Sequence, residues 1–189
     1  MRLVSPGEAP EALRSGKVAL VPTETVVGLL SAESGLSRVR EIKGRDANKP
    51  IALLCRSSKE AFGLAANVPP LAATLADLYW PGPLTLILDL PDGNTIGVRV
   101  PAGRAVRELL EAYGGPLYAT SANPSGEPAR AAPDEVNPLV LEAVDIVVSG
   151  EKGSGEASAV VDLSGGKVQL LRTGSEPSPE KLARLALDC

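Results

Sequence analysis

The chain has 189 residues, 44% hydrophobic and 22% charged, with a formal net charge of −4, the profile of an ordinary globular protein and not of one dominated by a nucleic-acid surface. It contains no histidine and only two cysteines, Cys55 and Cys189, so the commonest general base and metal ligand is missing, and neither a disulfide framework nor a zinc site is available. No run approaches the ~18 apolar residues of a membrane span, and "MRLVSPGEAP" lacks the apolar segment of a secretory signal, so a cytoplasmic chain without membrane association is expected.

Residues 8–15 suit a short helix. "KVALVP" (17–22) is a compact apolar run stopped by proline, which reads as a buried strand. "SRVREIKG" belongs to a helix with Leu36, Val39 and Ile42 on one face, and Gly44 just past its end. "IALLC" (51–55) is a second buried strand, with Cys55 as a buried thiol. Ser57 and Glu60 have the spacing of a capping box, opening a helix to about Ala65. A helix over 70–79 is broken by "WPGP". "LTLILDL" (84–90) and "TIGVRVP" (95–101) flank "PDGN", a hairpin signal. Residues 103–113 suit a helix and "PLYAT" (116–120) a strand. "DIVVSG", "SAVVDL" and "KVQLLR" are late strands, the last two joined by "SGG". Ser178 caps a final helix with Pro179 at its first position. Helices alternate with strands while the hairpins are antiparallel. The fold class expected is α/β: a twisted mixed parallel and antiparallel sheet with flanking helices, forming one domain over 1–189.

Four polar stretches interrupt this apolar scaffold. "PTETVVGLL" (22–30) places Thr23, Glu24 and Thr25 at the C-terminal end of a buried strand, where open α/β sheets bind ligands. A turn with a residue near a helix cap is the other reading. "KGRDANKP" (43–50) puts Lys43, Arg45 and Lys49 between a helix and a strand. Such a cluster suits a polyphosphate, or is a solvated surface run. Arg99 lies inside "GVRVP". Alternation puts Val98 and Val100 on one face, and Arg99 on the other with Gly97 and Thr95. There it either meets water or pairs with an anion, because an unpaired buried charge is costly. The fourth stretch is "YATSANPSGEPA" (118–129), small, polar and longer than a corner requires, with a late counterpart in Ser158 and Arg172. Asp162 and Glu156 are weak metal-side candidates. The glycines match neither a Walker loop nor a dinucleotide fingerprint, and no Ser-His-Asp arrangement exists without histidine. A nucleotide site would have to be assembled from several strand ends.

Taken together, "VPTETVVGLL", "KGRDANKP", "YWPGPLTLIL", "GVRVP", "TSANPSG" and "LLRTG" occur in the order and rough spacing of the YrdC-like family, and the chain resembles its TsaC-type threonylcarbamoyl-AMP synthase branch from about Val18 to Gly174. The most specific part is Lys43-Gly-Arg45 paired with Ser121-Ala-Asn123. The resemblance implies a nucleotidyltransferase that joins L-threonine, bicarbonate or carbon dioxide, and ATP into threonylcarbamoyl-AMP and pyrophosphate. Magnesium would be carried with the ATP, no protein-held metal is implied, and a TsaD-type partner would pass the group to an adenosine beside the tRNA anticodon. It also implies a concave cavity within the sheet. By the same resemblance, Lys43, Arg45, Ser121 and Asn123 are catalytic. Arg45, Lys49, Thr95, Ser121, Asn123, Ala129 and Arg172 contact ATP. Thr25, Arg99, Ala119 and Ser158 contact threonine, with Arg99 pairing with its carboxylate; if the face of Arg99 lines the cavity, guanidinium chemistry allows two parallel hydrogen bonds there.

The chain departs from that pattern at Val27, where relatives carry tyrosine, at Asp46, where they carry proline, at Leu54, where others carry histidine, and in "GEASAVVDL". The extra domain of larger relatives is missing, so the short single-domain form is expected. Two alternatives stand beside this reading. One is an RNA-binding module contacting tRNA or double-stranded RNA, against which the negative charge and the 3% of aromatics count. The other is a paralogue without threonine chemistry.

Overall fold

A computed structural model of the chain describes residues 2–44 and 51–187. In chain order the elements are β1 (Arg2–Val4), α1 (Pro10–Arg14), β2 (Ala19–Val21), β3 (Gly28–Ser31), α2 (Leu36–Lys43), β4 (Ala52–Leu54), α3 (Ser58–Phe62), α4 (Pro70–Tyr79), β5 (Leu84–Asp89), β6 (Thr95–Arg99), α5 (Arg104–Tyr113), β7 (Leu117–Ser121), α6 (Pro138–Ala143), β8 (Ile146–Val148), β9 (Ala159–Asp162), β10 (Gln169–Arg172) and α7 (Pro179–Leu187). The described strands form one ten-stranded sheet in the order β1-β8-β2-β3-β7-β4-β6-β5-β9-β10. Pairing is parallel for β1/β8, β2/β8, β4/β6 and β5/β9, and antiparallel for the other neighbours. The α/β mixed sheet expected from the sequence is therefore the architecture found.

Several local signals act as their chemistry dictates. The "PDGN" turn joins β5 and β6 in register, Asp89 opposite Thr95. Gly44 ends α2 with φ of 55°, a conformation in which a side chain would crowd the backbone. Ser178 Oγ accepts the Lys181 N–H and Pro179 opens α7. The expected capping box at α3 is only half formed. Ser57 Oγ accepts the Glu60 N–H, but the Glu60 carboxylate turns to the Arg56 N–H and guanidinium, and the helix stops at Phe62.

Layering follows from which faces are apolar. In β2, Ala19 and Val21 point to a core shared with Leu13 of α1 and Val106, Leu109 and Leu110 of α5. Leu20 points the opposite way, toward Val39 of α2 and Val140 of α6. Helices thus cover this half of the sheet on both faces, which is why "KVALV" shows no alternation. The β5-β6-β9 half differs. Leu84, Leu86, Leu88, Val98, Ala159 and Val161 pack under Leu71, Leu75 and Leu182 of α4 and α7. The intervening residues Thr85, Ile87, Thr95, Gly97, Arg99 and Val160 face a cavity instead. No helix among the described residues is long and apolar enough to cross a membrane.

Candidate functional site

The cavity has a volume of about 360 Å³ and lies over the uncovered face of the central strands. Its floor is made of small residues: Gly28, Ala52, Gly97, Ala119 and Ala157. Gly97 packs tightly there, since a Cβ would lie 3.3 Å from both the Ala52 Cβ and the Thr85 Cγ2. Around that floor stand hydroxyls and cations.

Arg99 ends β6, opposite Leu54 of β4, and is buried, with 7% of the residue exposed. The water-facing reading of this residue is therefore excluded. Its Nε donates to the Gly82 carbonyl (3.0 Å), and its Nη2 donates to Glu24 Oε1 (2.5 Å) and Thr25 Oγ1 (3.1 Å). The Nε–Nη2 edge of the fork is thus taken by the protein, and the Nη1 hydrogens make no bond to a described residue; the two-nitrogen grip on a carboxylate expected from the sequence is therefore not available, and Nη1 alone is left for a ligand. Burial pushes the Glu24 carboxyl upward. The Arg99 charge, the Ala102 backbone and the Arg99 hydrogen bond outweigh that and hold it below its ordinary value.

Thr25 is buried at the turn between β2 and β3. Thr23 donates its single hydroxyl proton to the Val26 carbonyl at 2.7 Å. The 2.9 Å contact between the two threonine hydroxyls therefore has Thr25 as donor. Its proton committed, Thr25 Oγ1 accepts from Arg99 and can offer a ligand only a lone pair.

On the opposite wall Ser158 Oγ lies 2.9 Å from Thr85 Oγ1 and accepts from Arg172 Nη2 at 3.1 Å, while Arg172 Nε donates to the Ser158 carbonyl at 2.8 Å. Arg172 is an exposed residue. Burial of its inner end, and then the like charge of Arg99, lower its pKa, yet it remains charged at neutral pH. Two guanidinium groups thus repel each other across a small cavity, a field that a bound anion relieves.

Lys43, the last residue of α2, is buried and reaches across to the loop after β7. Its Nζ donates to the Ser121 carbonyl (2.5 Å) and the Asn123 carbonyl (2.8 Å), while its own carbonyl accepts the Ser125 N–H (3.0 Å). Asn123 gives its amide hydrogens to the Pro124 and Glu127 carbonyls (3.0 and 2.5 Å), leaving Oδ1 buried without a hydrogen bond to a described residue. The "TSANPSG" stretch is accordingly a loop pinned by one ammonium and one amide, with Ser121, Asn123, Ser125 and Gly126 at the cavity wall.

Of the residues singled out from sequence, Thr25, Lys43, Thr95, Arg99, Ala119, Ser121, Asn123, Ser158 and Arg172 come together around this cavity. Ala129 is not among its lining residues, because the chain has already left the wall after Gly126. Arg45 and Lys49 lie outside the described residues, as does Asp46. Asp162 is used structurally: its Oδ1 accepts both the N–H and the hydroxyl of Ser164. Val27 is buried in the core between β3, α2 and α6, while Leu54 lies at the cavity. Sequence reasoning missed Thr85, whose signal was a single hydroxyl at an odd position of an otherwise aliphatic strand. It places Glu24 at the ligand-binding end of β2 but gives it no partner.

A family model covering Sua5, YciO and YrdC, described as "Telomere recombination", matches residues 11–174. The threonylcarbamoyl-AMP synthase of Pyrococcus abyssi is 34% identical over 181 residues, covering 89% of this chain and 53% of that protein. A putative threonylcarbamoyl-AMP synthase of Methanocaldococcus jannaschii is 33% identical, covering 90% of this chain and 85% of the relative. The crystal structure of P. abyssi Sua5 complexed with L-threonine superposes with a TM-score of 0.86 at 31% identity, covering 97% of this chain and 60% of that one. This chain thus spans little more than half the length of the P. abyssi protein.

Proposed function

We propose that this chain, which belongs to the Sua5, YciO and YrdC family, is a threonylcarbamoyl-AMP synthase acting on L-threonine, bicarbonate or carbon dioxide, and ATP. The observation that carries the reading is the convergence of Arg99 and Arg172, each with its inner edge bonded to protein, on a small-residue floor flanked by Thr25 and Ser158. A compact zwitterion suits that setting. Its carboxylate meets the remaining N–H groups of Arg99, and its ammonium or hydroxyl donates to the lone pair of Thr25. The relative solved with L-threonine and the names of the curated relatives support the same substrate.

In the proposed reaction the threonine ammonium gives up a proton to solvent, the free amine adds to carbon dioxide, and loss of a second proton to solvent leaves a carbamate. A carbamate oxygen then attacks the α-phosphorus of ATP, the bond to the β-phosphate oxygen breaks, and pyrophosphate leaves with that electron pair. No residue need become covalently attached, so the lack of histidine is no obstacle. The protein's work is to align two anions and offset the charge that builds on the phosphoryl group. Lys43, Ser121 and Asn123 form the wall proposed to meet the nucleotide, with Arg45, Lys49, Thr95 and Arg172 as further phosphate or nucleoside contacts. Among the described residues no three carboxylate or cysteine groups gather to hold a metal, and magnesium is proposed to arrive on the triphosphate. The mixed anhydride product would pass, in the cytoplasm, to a TsaD-type transferase for tRNA modification, with residues 1–189 working as one domain. Pyrophosphate release from ATP and bicarbonate tests this reading: it should require L-threonine, and release that ignores threonine would overturn it.

A further inference from the structure

Glu24 is absent from the cavity wall yet touches two things that shape it. Its Oε1 accepts from Arg99 Nη2, and its Oε2 accepts the Gly103 N–H at 2.9 Å. Its carbonyl accepts the Ser154 N–H at 3.0 Å. Residue 24 is therefore the junction of the turn after β2, the connection from β6 to α5, and the segment that leads to Ser158. The connection leaves room for it: a Cβ at Gly103 would lie 2.8 Å from the Glu24 nitrogen and 3.2 Å from Oε2.

We infer that Glu24 is the positioning residue for the substrate-binding arginine, an inference that rests on the threonine reading of the site. Arg99 has five N–H groups and could turn any edge toward the cavity. The Gly82 carbonyl and Thr25 alone are neutral acceptors. The carboxylate supplies the charge-assisted bond that fixes Nη2 on the protein side and leaves Nη1 as the ligand edge. Only a carboxylate suits the place, because both neighbours of the side chain are donors. Glutamine has one acceptor oxygen, so its amide hydrogens would oppose either the guanidinium or the Gly103 N–H. Aspartate keeps the charge but is one methylene too short to span from the β2 turn to both partners.

The test compares the full-length protein with Glu24→Gln and Glu24→Asp in threonine-dependent pyrophosphate release, with thermal melting to establish folding. Both variants should need at least about tenfold more threonine for half-maximal rate, equivalent to the loss of one charge-assisted contact, with half-saturation by ATP within about twofold of the parent. Glu24→Asp provides the answer if the glutamine variant does not fold. Unchanged threonine half-saturation in a folded variant would overturn the positioning role. So would an equal rise for threonine and ATP, which is the mark of general loosening. If the parent protein itself ignores threonine, it is the substrate reading that fails.

Discussion

Arg99 binds its surroundings through two separate nitrogens, so its replacement has two consequences. Lysine keeps the charge but carries its donors on one atom, which cannot reach Gly82, Glu24 and Thr25 together. Arg99→Lys should lower unfolding stability by about 1–3 kcal/mol and raise threonine half-saturation, with ATP affinity retained. A denaturation midpoint and a threonine titration both equal to the parent's would contradict this. The partner carboxylate adds a pH signature. The Glu24 pKa in the folded protein lies below its ordinary value of 4.5. Its contribution is therefore fully present above the unfolded-state pKa and is lost as pH falls through the folded one. The stability gap between the parent and Glu24→Gln should shrink on acidification below about 4.5, and a gap independent of pH would refute the linkage. Cys55 is a third case. Burial, then the Glu60 charge, push its thiol up to about 12, with Arg56 only partly opposing. In a Cys189→Ser background, alkylation at pH 8 should proceed only at the rate of unfolding; rapid labelling of the native protein would show that the thiol is reachable.

Among the elements, α5 shows how burial sets the architecture. Val106, Leu109 and Leu110 recur at helical spacing and close the core over β2, β3 and β8. Leu109 is fully buried, so Leu109→Ala should cost about 2–5 kcal/mol in chemical denaturation; a loss under about 1 kcal/mol, nearer the size of a surface change, would contradict the assigned packing. Elements with a strong local signature are legible in the sequence: α4 between its prolines, the β5/β6 hairpin at "PDGN", and α7 behind Ser178. Those missed have weak signatures. β1 is three residues long with only Val4 buried, and its place is decided by parallel pairing with β8, far away in sequence. β3, buried at every position, shows no alternation and merges into the polar stretch that precedes it. α6 has only six residues and exposes Leu139, so it lacks a clean apolar stripe, although the Asn137 side chain caps it by accepting the Leu139 N–H.

For the whole molecule, the site is a consequence of uneven coverage. Helices cover both faces of the sheet at β2, whereas the β6-β5-β9 half has helices on one face and the cavity on the other. The alternation in "TIGVRVP" carries part of this in the sequence itself, because Gly97 and Arg99 have to share the face opposite the valines. Which residues meet across the cavity is not legible there. The Thr85–Ser158 contact and the reach of Glu24 to Arg99 depend on pairings across 73 and 75 residues, which no local pattern encodes. Arg45 and Lys49, outside the described residues, rest on the cation cluster in the sequence and on the family pattern. The proposed function requires this cavity to couple threonine to ATP chemistry. The most direct measurement is pyrophosphate released from ATP and bicarbonate by the parent protein and by Arg99→Ala, across a threonine titration. Release should require L-threonine in the parent and half-saturate at far higher threonine in the variant. Release that is independent of threonine, or identical threonine curves for the two proteins, would contradict it.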